Sequence, residues 1–244
     1  MNRDKILPFL SHPLPVYCYE TLPSTNARAK TLAREGAAQG TLVLADAQTK
    51  GRGLRGRSFL SPYGGLYMSL VVDGQGALPG HMTTLAAVAA VRAVREASGH
   101  ELSIKWVNDL IFEGKKAGGI LTEGLVLEGG ATKQVIGIGI NTGPSPDPSM
   151  YVSIGRPGEI YDRERLAALI AGFILGGLPL IPGHMEEYRA RCRTIGQHIR
   201  FEYGGVEKTG LALDVGDDGT LMVRTESGIL QLMAGDVSVL PAPS

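Results

Sequence analysis

The stretch Thr41-Leu42-Val43-Leu44-Ala45-Asp46-Ala47, running through Gln48 and Thr49 into Lys50-Gly51-Arg52-Gly53-Leu54-Arg55-Gly56-Arg57, decides how the rest of the chain is read. Its first half is a short apolar run of strand type. A second such run, Gly65 to Val72, opens after Pro62 and the Gly64-Gly65 pair. The glycine- and arginine-rich segment between them therefore joins two strands of one sheet. Arginines spaced by glycines let backbone approach an anion closely while guanidinium groups take phosphate or carboxylate oxygens in pairs. A solvated basic turn or a nucleic-acid contact competes with that reading. The balance of 24 basic against 24 acidic residues weakens the nucleic-acid version.

Outward from this loop, Val16 to Leu22 reads as an earlier strand, after which Ser24 or Thr25 caps a helix that runs to Glu35 and stops at Gly36. Met82 to Ala97 repeats Ala, Val and Leu at helical spacing up to Gly99. Ser103–Val107, Leu110–Phe112, Lys116–Leu127 and Lys133–Ile140 follow as strands, with hairpin turns at Glu113-Gly114 and Gly129-Gly130. Gly143 to Pro157 is a loop, and Asp162–Leu178 and Met185–Arg193 are helical. Hairpins mixed with helices predict an α+β fold with a mixed sheet rather than a doubly wound one.

From Ile195 the pattern changes to short strands, His198–Tyr203, Val206–Leu213, Leu221–Thr225, Ile229–Met233 and Val237–Leu240, which predict a small β-barrel. The expected division is a main domain over 1–194 and an appended barrel over 195–244.

Cys18 and Cys192 are far apart and lack zinc or redox spacing, so no metal site is expected, and a reducing cytoplasm is the plain reading. Met1 to His12 lacks the apolar core of an export signal. Leu166 to Leu178 would cover roughly 20 Å as a helix, short of a bilayer core of roughly 30 Å, so no membrane association is expected.

Two further segments carry chemical side chains. Lys105-Trp106-Val107-Asn108-Asp109 ends a strand with a cation, an amide and a carboxylate, and Lys116 lies across the next hairpin beside Gly118-Gly119, where a ligand would meet bare backbone. Gly137-Ile138-Gly139-Ile140-Asn141 ends another strand, its glycines compatible with a ligand or with a close helix–sheet contact. Singly, each is a surface lysine, a turn or a packing glycine. Their coincidence with the arginine loop is what points to a site.

In order and spacing, Ser24-Thr25-Asn26, Gln48 with its arginine loop, Lys105 to Asp109, Lys116 to Gly119 with Glu123, and Gly137 to Asn141 resemble the biotin protein ligases, also called biotin–[acetyl-CoA-carboxylase] ligases. The resemblance runs from Val16 into the C-terminal strands and is to the form without an N-terminal DNA-binding domain. It implies a class II synthetase-like catalytic domain, as in biotin and lipoate ligases, with an SH3-like C-terminal barrel. The implied activity joins biotin to ATP as biotinyl-5′-AMP, with Mg²⁺, and then acylates a lysine of a biotin carboxyl carrier domain. A homodimer built by pairing sheets is implied too.

Carried over residue by residue, the resemblance implies that Ser24, Thr25, Asn26, Gln48, Gly51, Arg52, Gly53, Lys116, Gly118 and Gly119 bind biotin. Arg55, Arg57, Phe59, Lys105, Asn108, Lys116 and Asn141 are implied for ATP, with Phe59 stacking on adenine. The catalytic set is Arg52, Lys105, Asp109 and Lys116, the cations offsetting charge at the α-phosphate and Asp109 orienting or deprotonating the incoming amine.

Two positions depart from the family pattern. Val107 replaces a proline, which alters strand-end rigidity more than chemistry. Leu54 replaces an arginine that helps close the loop over the adenylate, and leucine supplies shape without charge. Competing expectations are a lipoate or octanoate ligase, whose Arg-Arg-x-x-Gly-Gly-Gly loop is absent here, a weakened homologue that only binds biotin, and a non-catalytic nucleic-acid-binding module.

Overall fold

The computed structural model describes residues 1–74, 79–144, 147–155, 161–233 and 237–240. In chain order the elements are α1 (Arg3–Ile6), β1 (Val16–Leu22), α2 (Thr25–Arg34), β2 (Leu42–Gln48), β3 (Leu66–Asp73), α3 (Pro79–Ser98), β4 (Ser103–Lys105), β5 (Asp109–Phe112), β6 (Lys115–Val126) and β7 (Thr132–Ile140). Then come α4 (Arg163–Gly177), α5 (Met185–Arg191), β8 (His198–Tyr203), β9 (Val206–Val215), β10 (Leu221–Thr225), β11 (Gly228–Leu232) and β12 (Val237–Val239). A seven-stranded mixed sheet has the order β1-β2-β3-β7-β6-β5-β4, with only the β1–β2 pair parallel. A five-stranded antiparallel sheet has the order β11-β10-β9-β8-β12. The α+β expectation holds.

Side chains on a strand alternate between faces, and the large sheet uses its two faces differently. Leu42 and Leu44, Leu66, Met68 and Leu70, and Ile136, Ile138 and Ile140 join the Ala- and Val-rich α3 and the apolar α4 in the main core. The opposite face carries Val43, Val71, Leu125 and Val135, covered by Ala29, Leu32 and Ala33 of α2. Further along that second face the side chains shrink: β7 continues from Val135 to Gly137 and Gly139, and β6 from Leu125 through Leu121 to Gly119. The sheet is left partly uncovered there, and that is where the site forms.

Local signals set the element ends. Ser24 caps α2, its side chain accepting from Ala27 N at 3.4 Å, and Asp162 caps α4 by accepting from Arg165 N at 2.9 Å. The β6–β7 hairpin turns on Gly129 and Gly130 at φ 85° and 83°, a conformation that suits glycine. One expected strand is shorter than anticipated, since β4 ends at Lys105 instead of Val107. Trp106 leaves the sheet because its amide donates to Thr194 Oγ1 and its indole N–H to Gly219 O, both at 2.9 Å. The Trp106–Val107 peptide is cis.

Trp106 thereby pegs the large sheet to the β9–β10 turn, and Arg189 of α5 adds a bond to Val215 O at 3.0 Å. Buried residues of the C-terminal strands, among them Ile199, Phe201, Ala212, Val223 and Val237, are continuous with the main core. The Pro- and Ser-rich segment expected as a loop runs irregularly through 147–155 and docks on the large sheet, with Val152 N donating to Lys116 O and Ile154 N to Asn141 O. The rest of that expectation, at 145–146 and 156–157, lies outside the described residues. Among the described residues no helix is long and apolar enough to cross a membrane.

His184, at the start of α5, is buried. Its Nε2 lies 2.8 Å from Thr84 Oγ1, while Thr84 gives its own hydrogen to a carbonyl one turn back. Nδ1 has no partner. Burial, reinforced by His81 and Arg92, lowers its pKa from 6.5 to about 4. The unfolded chain binds this proton first, so stability falls as pH drops from about 6.5 to about 4, by up to about 3 kcal/mol. In urea titrations His184→Gln is expected to flatten the midpoint decline across that window; an unchanged slope would remove His184 from the account.

Candidate active site

The uncovered part of the sheet is a cleft of about 1170 Å³, open to solvent. Its wall holds Ser24, Thr25 and Asn26 from the start of α2, Gln48 from the end of β2, and Arg52, Gly53, Arg55, Arg57 and Phe59 from the loop. Asn108, Asp109, Lys116, Gly118, Gly119 and Asn141 line it as well. Every residue expected from the sequence is there except Gly51 and Lys105.

Gly51 has another task. A Cβ at this position would run into the Phe59 carbonyl oxygen, and Phe59 N donates to Gly51 O at 3.0 Å, so the glycine lets the loop fold back on itself. Lys105 ends β4 opposite Asp109 in the β4–β5 pairing, so it shares the face that carries the cleft but stands outside the wall itself.

At the β2 side, Gln48 Oε1 accepts from Thr25 N at 2.8 Å and lies 3.2 Å from Thr25 Oγ1, while its Nε2 donates to Ser61 Oγ at 2.9 Å. One amide hydrogen of Gln48 remains for a ligand. Asn26, expected to touch biotin, lines the wall, but its amide is bonded inward. Its Nδ2 donates to Glu123 Oε2 at 2.8 Å and to Leu121 O at 3.2 Å, and Glu123 also pairs with Lys30.

At the β6 side, Lys116 Nζ meets Asp109 Oδ1 at 2.5 Å. A β-bulge puts them together. The β5–β6 register shifts between Leu110 and Ile111, so that Ala117 is the extra residue; it turns into the core and Lys116 comes round to the same face as Asp109. Asn108 Nδ2 is tied to Ile120 O at 2.8 Å, and Asn141 Nδ2 to Val152 O at 3.3 Å.

The cleft floor is largely backbone, but its glycines differ. Gly119 alone has only ordinary contacts around an added Cβ, so it offers a ligand bare backbone. Gly118 presses against the Gly139 carbonyl of the neighbouring strand. Gly137 receives the Asn26 amide and Gly139 the Phe59 ring, so the close helix–sheet alternative is correct for Gly137. Phe59 also meets Tyr67 edge to face at 6.4 Å.

The arginine loop is closed at its base by the Arg52–Ser58 bridge and by Gly53 N donating to Arg57 O at 2.7 Å. Leu54 to Gly56 form one 3-10 turn in which Arg55 adopts a left-handed conformation, φ 56° and ψ 34°, uncommon for a residue with a side chain. Arg52, Arg55 and Arg57 are exposed at the cleft mouth, and Leu54 is half-buried in its wall.

Sequence reasoning passed over Ser69 and Tyr151. Ser69, buried beneath Thr25 and Asn26, is the polar exception in the apolar run of β3. Tyr151 lines the cleft because it bridges Lys116 across the sheet edge, a long-range pairing no local pattern announces.

An anion-binding loop, an amide–hydroxyl pair and a lysine–carboxylate pair around one cleft suit a ligand with a polar ring at one side and acid or phosphate groups at the other. The chain matches the Biotin/lipoate A/B protein ligase family over residues 18–141 and the Biotin protein ligase C terminal domain over 194–240. It is 34% identical to the bifunctional ligase/repressor BirA of Bacillus subtilis over 239 residues, covering 91% of this chain and 73% of that one. With the biotin–[acetyl-CoA-carboxylase] ligase of Paracoccus denitrificans it shares 31% identity over 235 residues, 88% and 96% of the two chains. Among solved structures it resembles the biotin protein ligase of Aquifex aeolicus in complex with biotin and ATP, with a TM-score of 0.79, 25% identity, and coverage of 93% and 99%. The chain belongs to the biotin/lipoate A/B protein ligase family.

Proposed function

We propose that the chain is an ATP-dependent biotin protein ligase, which forms biotinyl-5′-AMP and transfers biotin to a lysine of a carboxylase's biotin carboxyl carrier domain. The observation that carries this reading is the placement of the Thr25–Gln48 pair and the Lys116–Asp109 pair in one cleft, on β2 and β6 sides with β3 and β7 between. Three strand spacings amount to roughly 14 Å. A ureido ring bearing a pentanoate chain fits that geometry, its ring needing both donors and acceptors and its carboxylate needing cations.

In this reading Thr25 and Gln48 hold the ring, while Arg52 and Lys116 steer the carboxylate toward the α-phosphate. A carboxylate oxygen attacks the α-phosphorus, the bond to the bridging oxygen of pyrophosphate breaks, and pyrophosphate leaves. Arg55, Arg57 and Lys116 offset the charge that spreads over the phosphoryl oxygens. The carrier amine then attacks the acyl carbon, AMP leaves, and Asp109 takes the amine proton. Phe59, Asn108 and Asn141 are assigned to the nucleotide.

Mg²⁺ enters with ATP as part of the substrate. Asp109 is the one carboxylate in the described cleft wall, which suits an ion held mainly by phosphate oxygens and water. We assign catalysis to 1–194 and the C-terminal sheet to 195–244, and a homodimer in the cytoplasm as the working form, to be checked by sedimentation.

The deciding experiment is biotin-dependent exchange of labelled pyrophosphate into ATP, with lipoate as the comparison. Exchange with biotin alone supports the reading, and none at saturating biotin and Mg²⁺ ends it. Leu54 adds a second expectation. A missing charge contact to the adenylate weakens its retention by up to about 10²-fold, so biotinyl-AMP escapes and unrelated lysines nearby become biotinylated. Leu54→Arg should suppress that labelling; wild-type enzyme that keeps biotinyl-AMP through gel filtration would rule the leak out.

A further inference from the structure

Beneath the Ser24-Thr25-Asn26 turn, the fully buried Ser69 of β3 places its Oγ 2.8 Å from Thr25 Oγ1 and 2.6 Å from Asn26 Oδ1. A hydroxyl has one hydrogen, so it can donate to only one of them. The Asn26 amide decides which. Its nitrogen faces Glu123 Oε2 at 2.8 Å and Leu121 O at 3.2 Å. A backbone carbonyl has no hydrogen to give, and neither does an ionised carboxylate. Burial alone would raise the Glu123 pKa, but hydrogen bonds from Lys30 and Asn26 and the charges of Lys30 and Arg52 outweigh it and hold the carboxyl below its ordinary value.

The amide nitrogen must therefore face Glu123, the amide oxygen must face Ser69, and the Ser69 hydrogen goes to Asn26. Two acceptors then look at the Thr25 hydroxyl, Ser69 Oγ at 2.8 Å and Gln48 Oε1 at 3.2 Å. Whichever takes its hydrogen, Thr25 Oγ1 has only lone pairs left to offer the cleft.

We infer that Ser69 is a positioning residue which, set from behind by the Lys30–Glu123 ion pair through Asn26, fixes the Thr25 hydroxyl as a hydrogen-bond acceptor toward the ligand. This side of the cleft thereby admits a ring that presents an N–H and rejects one that cannot. A ligand acceptor in the same place could be satisfied only by drawing the Thr25 hydrogen away from Ser69 and Gln48, and sites built on a buried hydrogen bond discriminate strongly for that reason. The inference rests on the biotin reading above, in which a ureido N–H is the donor.

The test compares biotin with biotin methylated at one ureido nitrogen in pyrophosphate exchange, for wild type, Ser69→Ala, Ser69→Cys and Glu123→Gln. Wild type should prefer biotin by about 10²-fold or more for the methylated nitrogen that meets Thr25. Ser69→Ala should raise the KM for biotin about tenfold while leaving the KM for ATP in place, and narrow the preference by a similar factor. Ser69→Cys, a weak donor of similar size, should fall between, and Glu123→Gln should shift both quantities the same way. A purely structural role would lower the melting temperature and kcat without moving the preference. Should Ser69→Ala not fold, Glu123→Gln decides alone. Active variants with unchanged biotin KM and preference would overturn this inference by itself, whereas a wild type that does not exchange pyrophosphate would overturn the ligase reading as well.

Discussion

Lys116→Ala is expected to lower biotin-dependent pyrophosphate exchange by about 10²–10³-fold, the size of effect seen when one preorganised contact to developing charge is lost. The loss has two physical parts. The β-bulge at Ala117 puts the ammonium group on the cleft face, so that its charge is in place before the anions arrive. Its removal also leaves Asp109, otherwise paired at 2.5 Å, as an uncompensated carboxylate in a cleft that must accept a carboxylate and a triphosphate. The two parts separate in Lys116→Ala with Asp109→Asn, which should recover substrate affinity without recovering the rate. An exchange rate within threefold of wild type for Lys116→Ala would remove Lys116 from the chemistry.

Gly137→Ala is expected to damage both the stability of the protein and its hold on biotin. The new Cβ would overlap the Asn26 amide, which cannot retreat because it is bonded to Ser69, Glu123 and Leu121 at once. Overpacking of this kind costs about 1–3 kcal/mol in stability. Displacing Asn26 also breaks hydrogen bonds worth about 1–3 kcal/mol each when their partners stay buried, so biotin affinity should fall by about 10²-fold. Urea titration and calorimetric binding of biotin check the two effects separately. Normal biotin affinity in a folded Gly137→Ala protein would show that the turn does not depend on the Asn26 network.

Much of this architecture is legible in the sequence because local signals agree with the tertiary structure. Alternation, glycine turns and helix caps mark β1 to β3, α2, α3 and all five C-terminal strands close to their observed limits. The end of β4 is not legible, because what draws Trp106 out of the sheet is Thr194 and Gly219, distant in the chain. The candidate site follows the same division. Side chains with obvious chemistry, Gln48, Arg52 and Lys116, are recognised by type and spacing and do line the cleft. Lys105 stands opposite Asp109 on the cleft face of the sheet but beyond the cleft wall. Asn26 lines the cleft, but its amide is consumed within the protein. Ser69 and Tyr151 depend on strand pairing across the sheet, which residue type does not reveal.

The glycines of β7 also bear on how such a site can change over generations. Gly137 and Gly139 are sockets into which Asn26 and Phe59, borne on other parts of the chain, are plugged. A socket made of backbone cannot be widened by any substitution and can only be filled. A larger plug has nowhere to go, and a larger socket residue evicts its plug. Positions 26 and 137, and likewise 59 and 139, are therefore open to exchange only as couples, a bulkier strand residue arriving together with a smaller partner. Drift at either position alone leads first to a broken cleft, so altered substrate choice is reached more readily through the arginine loop, whose exposed tip at Arg55 and Gly56 packs against nothing that must move with it.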